Sequence, residues 1–357
     1  MISSESAMQV VGLGATTAVG RDVWSTAAAV RAGVAGFQHH GFMVDEVGRP
    51  LTVAAMPGVG DDRSVAQRMT LALQSVIDEA TTMVAGLRSP SSLRLVVNLP
   101  SARPGLPTDL VKRVRQAIDT LFSGRFRQVV VTAGGHAGGL AALTTARAWL
   151  SDEPTTAVVV AGVDSYLDPD MLEWLDRTGQ LHGAGRRNNA WGFVPGEGAG
   201  AVVVMCAGEA AVASREGASF GRVLSVGVGA EERLIGTGEV CTGRGLTQAV
   251  RAALAELPVS ETLGEVYCDM NGEPYRADEY AFLITRTRER YASASDFLAP
   301  ADCWGDVGAA SGPLLLALAC VAGAKRYARG ERALVWASSV AGERAAVVID
   351  TSATASI

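Results

Sequence analysis

Short runs of β-branched residues alternate along this chain with longer alanine-rich segments, and that alternation restricts the fold more than any other feature. "MQVVGLGA" precedes "DVWSTAAAVRAG", "LRLVVNLP" precedes "TDLVKRVRQAIDTLF", "RQVVVTAGG" precedes "AGGLAALTTARAWL", and "TTAVVVAGVDS" precedes "PDMLEWLDRTG". Apolar strands each followed by a helix predict an α/β protein with a largely parallel sheet covered on both faces. "GAGAVVVMCAG" adds a further strand.

The pattern resumes after residue 216. "FGRVLSVGVGA" reads as a strand, "GRGLTQAVRAALAEL" as an amphipathic helix and "GEVYCDMNG" as a strand. "GAASGPLLLALACVAGAKRYARG" reads as a long apolar helix, and "RALVWASS" with "RAAVVID" as a closing hairpin. Two halves, residues 1–215 and 216–357, are therefore expected to share an element order and an interface, because no low-complexity linker separates them.

Composition narrows the function class. A chain that is 48% hydrophobic and 19% charged, with 41 glycines, is core-rich and globular. A net charge of -6 gives no basic footprint for nucleic acid. No apolar stretch reaches a membrane span and the N-terminus lacks a secretory pattern, so a cytoplasmic protein is expected. Five cysteines are scattered without a C-x-x-C pair and only four histidines occur, so neither disulfides nor a bound metal or cofactor is expected.

The chemistry-bearing stretch is "TAGGHAGGLAAL", residues 132–143, where a glycine-rich turn places His136 at the start of an apolar helix. The helix N-terminus, with its free N–H groups, suits a carbonyl oxygen or an anion. Gly134 and Gly135 would let a substrate approach the backbone.

These residues resemble the β-ketoacyl synthase branch of the thiolase-fold condensing enzymes over essentially the whole chain. "VVGLGATTAVGRDVWSTAAAVRAGVAGF" resembles that family's opening strand, turn and helix. "RRNNAWGFVPGEGAGAVVV", which contains Phe193 and Glu197, resembles its "R-P-F-D-x-x-R-x-G-F-V-x-G-E-G-A-G" stretch. The resemblance implies a five-layer αβαβα thiolase-like fold built from two related halves, with members paired as dimers.

It also implies a nucleophilic cysteine in "T-A-C-S-S-S-L-x-A-L" and two histidines, in "N-A-H-G-T" and "K-x-x-x-G-H-x-x-x-A-A-G", and none of the three is present. The spacing to Leu140, Ala142 and Leu143 puts His136 at the cysteine's position, while a shifted register puts Gly134 there. Asn271 in "DMNGEP" and Asp306 in "CWGDVGAASG" take the histidine positions, and the lysine is missing. "SVAGER" replaces "G-F-G-G-T-N", with Val340 in place of its phenylalanine.

Two readings of His136 follow. It is a base or nucleophile oriented by Asp306 and Asn271, or a polar residue left in a vacated site. In the first, the chain binds an acyl thioester, on acyl carrier protein or coenzyme A, against Gly134, Gly135, Phe193, Val340 and Ala341. It then transfers or hydrolyses the acyl group without condensation. In the second it is a non-catalytic partner, like a chain-length factor, of an active ketosynthase. A homodimer or such a heterodimer is expected. Glu197 is expected to be a buried hydrogen-bonding group, Cys303 an apolar filler or else a displaced nucleophile, Cys268 an apolar filler, and His182 solvated. Arg186 and Arg187 either meet an acidic carrier protein or a phosphate, or are solvated.

Overall fold

The computed structural model describes residues 7–60, 62–84, 93–213 and 219–352, with side chains of 211–213 left aside. The expected boundary at 215/216 lies outside the described residues.

Among the described residues eleven strands and ten α-helices form in chain order: β1 (Met8–Thr17), α1 (Val23–Arg31), β2 (Gln38–Val44), β3 (Pro50–Val53), α2 (Val65–Thr82), β4 (Leu93–Asn98), α3 (Leu110–Leu121), β5 (Gln128–Thr132), α4 (Gly135–Asp152), β6 (Ala157–Ser165), α5 (Pro169–Arg177), β7 (Glu197–Cys206), α6 (Ala207–Ala213), β8 (Gly221–Ala230), α7 (Arg244–Leu254), β9 (Glu265–Cys268), α8 (Pro274–Thr287), α9 (Ala301–Trp304), α10 (Ser311–Ala324), β10 (Arg332–Ser338) and β11 (Glu343–Asp350).

One nine-stranded sheet runs β5-β4-β6-β7-β1-β8-β11-β10-β9. Its middle joint is short: only Met8–Val10 of β1 pair with Gly221–Val223 of β8. Outward from that joint each half repeats one order, its first strand, then an antiparallel last strand, then the penultimate strand. Among the described residues the second half has no counterpart of the outermost strand β5. β6 and β7 are buried along their whole length, which is why they read as unbroken apolar runs.

Two glycine pairs show the same packing in both halves. A Cβ on Gly12 or Gly14 of β1 would stand 2.1 Å from Ala80 O and 2.2 Å from Val76 O, both on α2. A Cβ on Gly227 or Gly229 of β8 would stand 2.0 Å from Ala249 O and 2.2 Å from Gly245 O, both on α7. "VGLGA" at 11–15 and "VGVGA" at 226–230 thus each let an outer helix lie directly on the strand backbone.

α2 and α3 cover the outer face of the first half-sheet, and α7 and α8 that of the second. α4 and α10 fill the space between the half-sheets. This is the five-layer αβαβα arrangement implied by the resemblance. Every residue of α10 is buried, and Gly139 of α4 faces Pro313 while Gly312 faces Leu140, so the two central helices approach closely. No described helix is long and apolar enough to cross a membrane.

Candidate functional site

His136 stands in the first turn of α4. The turn before it needs glycine: Gly135 has φ +62°, where an L side chain is strained, and a Cβ there would press on Ser101 Oγ and Ser339 Oγ. Asn98, at the end of β4, ties the turn down. It accepts from Gly134 N–H (3.1 Å) and donates to Gly135 O (2.7 Å) and Ala309 O (3.1 Å). Ser339 accepts from Ala137 N–H (2.8 Å) and donates to Gly134 O (2.5 Å).

Asp306 is brought to His136 by the glycine-rich motif at 192–200. Asp306 N–H donates to Val194 O (2.8 Å) and Gly196 N–H donates to Asp306 O (2.9 Å), so the Asp306 loop is zipped to the strand leading into β7. Glu197 anchors that motif from below. It forks onto the buried Arg68, with Arg68 Nε donating to Oε2 at 2.8 Å, and accepts from Ser165 Oγ (2.9 Å) and Met56 N–H (2.8 Å). Its role is the buried hydrogen-bonding one expected.

The centre is a buried polar cluster. His136 and Asp306 are 3% and 4% exposed, with Nε2 2.9 Å from Oδ1 and 3.2 Å from Oδ2. Gly308 N–H donates to Asp306 Oδ1 (2.7 Å) and Asn271 Nδ2 donates to Oδ2 (2.6 Å). Burial raises the Asp306 pKa, but the His136 and Arg276 charges and these hydrogen bonds outweigh it and hold the carboxyl well below the usual carboxylate range. When the imidazole is neutral, an anionic Asp306 fixes its tautomer: Nε2 carries the proton and donates. Nδ1 then keeps its lone pair, and no described residue hydrogen-bonds to it.

Arg276, in the first turn of α8, closes the cluster. Nη2 lies 3.3 Å from His136 Nε2, and Nη1 donates to Asp269 Oδ2 and Ser338 O, each at 2.8 Å. Nε donates to Glu273 Oε2 (3.2 Å). The sequence pattern singled out neither Arg276 nor Asn98.

A pocket of about 90 Å³ opens over this cluster, lined among others by Ser101, Gly135, His136, Tyr166, Phe193 and Val340. Arg103 forks onto Asp164 and its guanidinium lies 3.9 Å over the Tyr166 ring. Among the described residues the N–H groups of His136, in the first turn of α4, and of Val340, in the turn after β10, have no protein partner.

The structure brings His136, Asp306 and Asn271 together, and Gly135, Phe193 and Val340 line the pocket with His136 and Asp306. Gly134 and Ala341 do not. The Gly134 amide and carbonyl are occupied by Asn98 and Ser339, and Ala341 lies in the exposed turn beyond Val340.

No cysteine lines the pocket. All five are buried, and burial pushes the Cys268 and Cys303 thiols up. Trp304 is buried in the core, Trp174 lines the pocket, and Trp191 is exposed beside Arg186 and Arg187 on a separate surface groove. His182 is exposed. Among the described residues one group, Glu231, Cys241 and Glu279, brings possible metal-ligand atoms within 4.8 Å of one another. Arg344 Nε already donates to Glu279 at 2.6 Å and supplies positive charge there.

Comparison with known proteins agrees with this architecture. The model of the β-ketoacyl synthase N-terminal domain matches residues 127–210, the segment holding α4 and the glycine-rich motif. No curated protein matches the sequence. The ketosynthase from module 6 of the bacillaene synthase of Bacillus subtilis 168 superposes with a TM-score of 0.78 at 14% identity, covering 97% of this chain and 72% of that one. A type II polyketide synthase acyl-carrier protein in complex with its ketosynthase gives 0.79 at 14% identity, covering 96% and 98%. The ishigamide ketosynthase/chain length factor gives 0.74 at 16% identity, covering 96% and 98%. The fold is that of the ketosynthases.

Proposed function

We propose, for a chain built on the ketosynthase form of the thiolase fold, that it binds an acyl thioester at His136 and hydrolyses or transfers the acyl group without forming a carbon–carbon bond. The observation that carries this reading is the buried His136–Asp306 pair with an unpartnered Nδ1 beside two unpartnered N–H groups.

Water, or the hydroxyl of an acceptor, gives its proton to Nδ1 as its oxygen attacks the thioester carbonyl carbon. Asp306 stabilises the imidazolium, and the N–H groups of His136 and Val340 receive the developing oxyanion. Collapse expels the thiolate, which takes the proton back from Nδ1. Asn271 and Gly308 hold the Asp306 carboxylate in place.

Condensation lacks its components. No thiol lines the pocket, and an enolate formed from a malonyl group would meet the Asp306 carboxylate rather than an imidazole. In this reading the thioester arrives on an acyl carrier protein or coenzyme A, in the cytoplasm. The division into halves at 215/216 belongs to the same reading, with His136 in the first and Asn271 and Asp306 in the second.

The test is thiol release from acetyl thioesters. His136→Ala should lower turnover about 100-fold or more under conditions where the variant, although less stable, is still folded; equal turnover by wild type and variant would remove His136 from the chemistry.

A second reading, a non-catalytic partner that shapes an active ketosynthase, draws on the edge of the sheet. Among the described residues β5 pairs only with β4. On the opposite side β9 is covered: Leu298 N–H donates to Val266 O, and Cys268 N–H to Leu298 O. An open edge strand seeks a partner, either a second copy of this chain or an active ketosynthase. Co-purification with an active ketosynthase, unaffected by His136→Ala, would favour it.

A further inference from the structure

The pocket over His136 is lined by equal numbers of carboxylates and guanidiniums, but the residues that pair with those guanidiniums from behind tip the cluster towards negative charge. Asp306 and Glu273 line it together with Arg103 and Arg276. Both guanidiniums are already engaged: Arg103 forks onto Asp164, and Arg276 bonds Asp269 as well as Glu273. Two arginines therefore face four carboxylates.

Glu273 has spare capacity. Its Oε2 accepts from Asn271 Nδ2 (3.0 Å) and Arg276 Nε (3.2 Å), while no described residue donates to Oε1. Its side chain keeps 11% exposure. The neutral polar groups lining the pocket, Ser101, Tyr166, Trp174 and Gln180, bring no positive charge. In a small site with little water, the Glu273 and Asp306 charges repel an anion and attract a cation.

We infer that Glu273 makes this pocket selective for uncharged or ammonium-bearing acyl groups and closes it to carboxylated, malonyl-type thioesters. This rests on the thioester reading above and adds the substrate class. Glu273 acts on specificity, while the proton transfer stays with His136.

Binding of three non-hydrolysable amide analogues, acetyl-, glycyl- and malonyl-aminopantetheine, to the full chain by calorimetry tests it. Acetyl and glycyl analogues should bind, and the malonyl analogue about tenfold or more weaker. Glu273→Gln should strengthen malonyl binding and weaken glycyl binding. Malonyl binding equal to acetyl, or a Glu273→Gln variant with an unmoved ratio, overturns the inference alone. Failure of all three analogues to bind overturns the thioester reading and this one with it. Should Glu273→Gln not fold, the wild-type ranking decides.

Discussion

His136 Nε2 lies 2.9 Å from Asp306 Oδ1, although 170 positions separate the two residues. One stands at the start of a central helix and the other on a loop zipped to the glycine-rich strand, so the contact exists only once both halves are assembled. The pairing makes Nε2 the protonated nitrogen and Nδ1 the acceptor.

That tautomer is directly observable. Long-range ¹H–¹⁵N spectra of the neutral imidazole should show His136 with a pyrrole-type Nε2 and a pyridine-type Nδ1. Asp306→Asn should disturb that pattern, because the amide offers a donor as well as an acceptor.

Stability should fall in acid for a stated reason. The folded-state pKa of Asp306 lies below its unfolded value. Its contribution is therefore complete above the unfolded value of about 4 and is lost as pH falls below it, towards the folded pKa. Urea unfolding of wild type should weaken below about pH 4, and Asp306→Asn should flatten that limb while lowering stability at pH 7. Truncation to Ala should cost about 3 kcal/mol, because it leaves buried partners unpaired.

The two glycine pairs give a packing test. Gly12→Ala and Gly227→Ala each place a methyl about 2 Å from a helix carbonyl. Each should destabilise by about 2 kcal/mol or more, since backbone on both sides must move. Similar losses in both halves, read by denaturant midpoint, would match the repeated architecture.

The open edge of β5 predicts a dimer, alone or with a co-expressed ketosynthase. Light scattering should give twice the 36.9 kDa chain mass for a homodimer. Val130→Lys, at the half-buried middle of β5, should shift the protein to monomer.

Much of this was legible in the sequence where the physics is local. The valine runs of β6 and β7, the apolar α10 and the glycine turn before His136 announce themselves. α2 went unread although Ser64 and Gln67 form a capping box at its start. α8 was hidden for another reason: its buried stripe includes Arg276, Glu279, Tyr280, Leu283 and Thr287, so two charges occupy core-facing positions. Their partners, Asp269 and Arg344, are reached only through tertiary structure. Asn98 ends an ordinary-looking strand, and its bonds to the His136 turn leave no periodic mark.

The most direct measurement is the product of the purified chain given acetyl and malonyl thioesters together, read by mass spectrometry. The account predicts free thiol with acetate, or acetyl transferred to an acceptor, lost in His136→Ala. A β-ketoacyl thioester formed by wild type would contradict it.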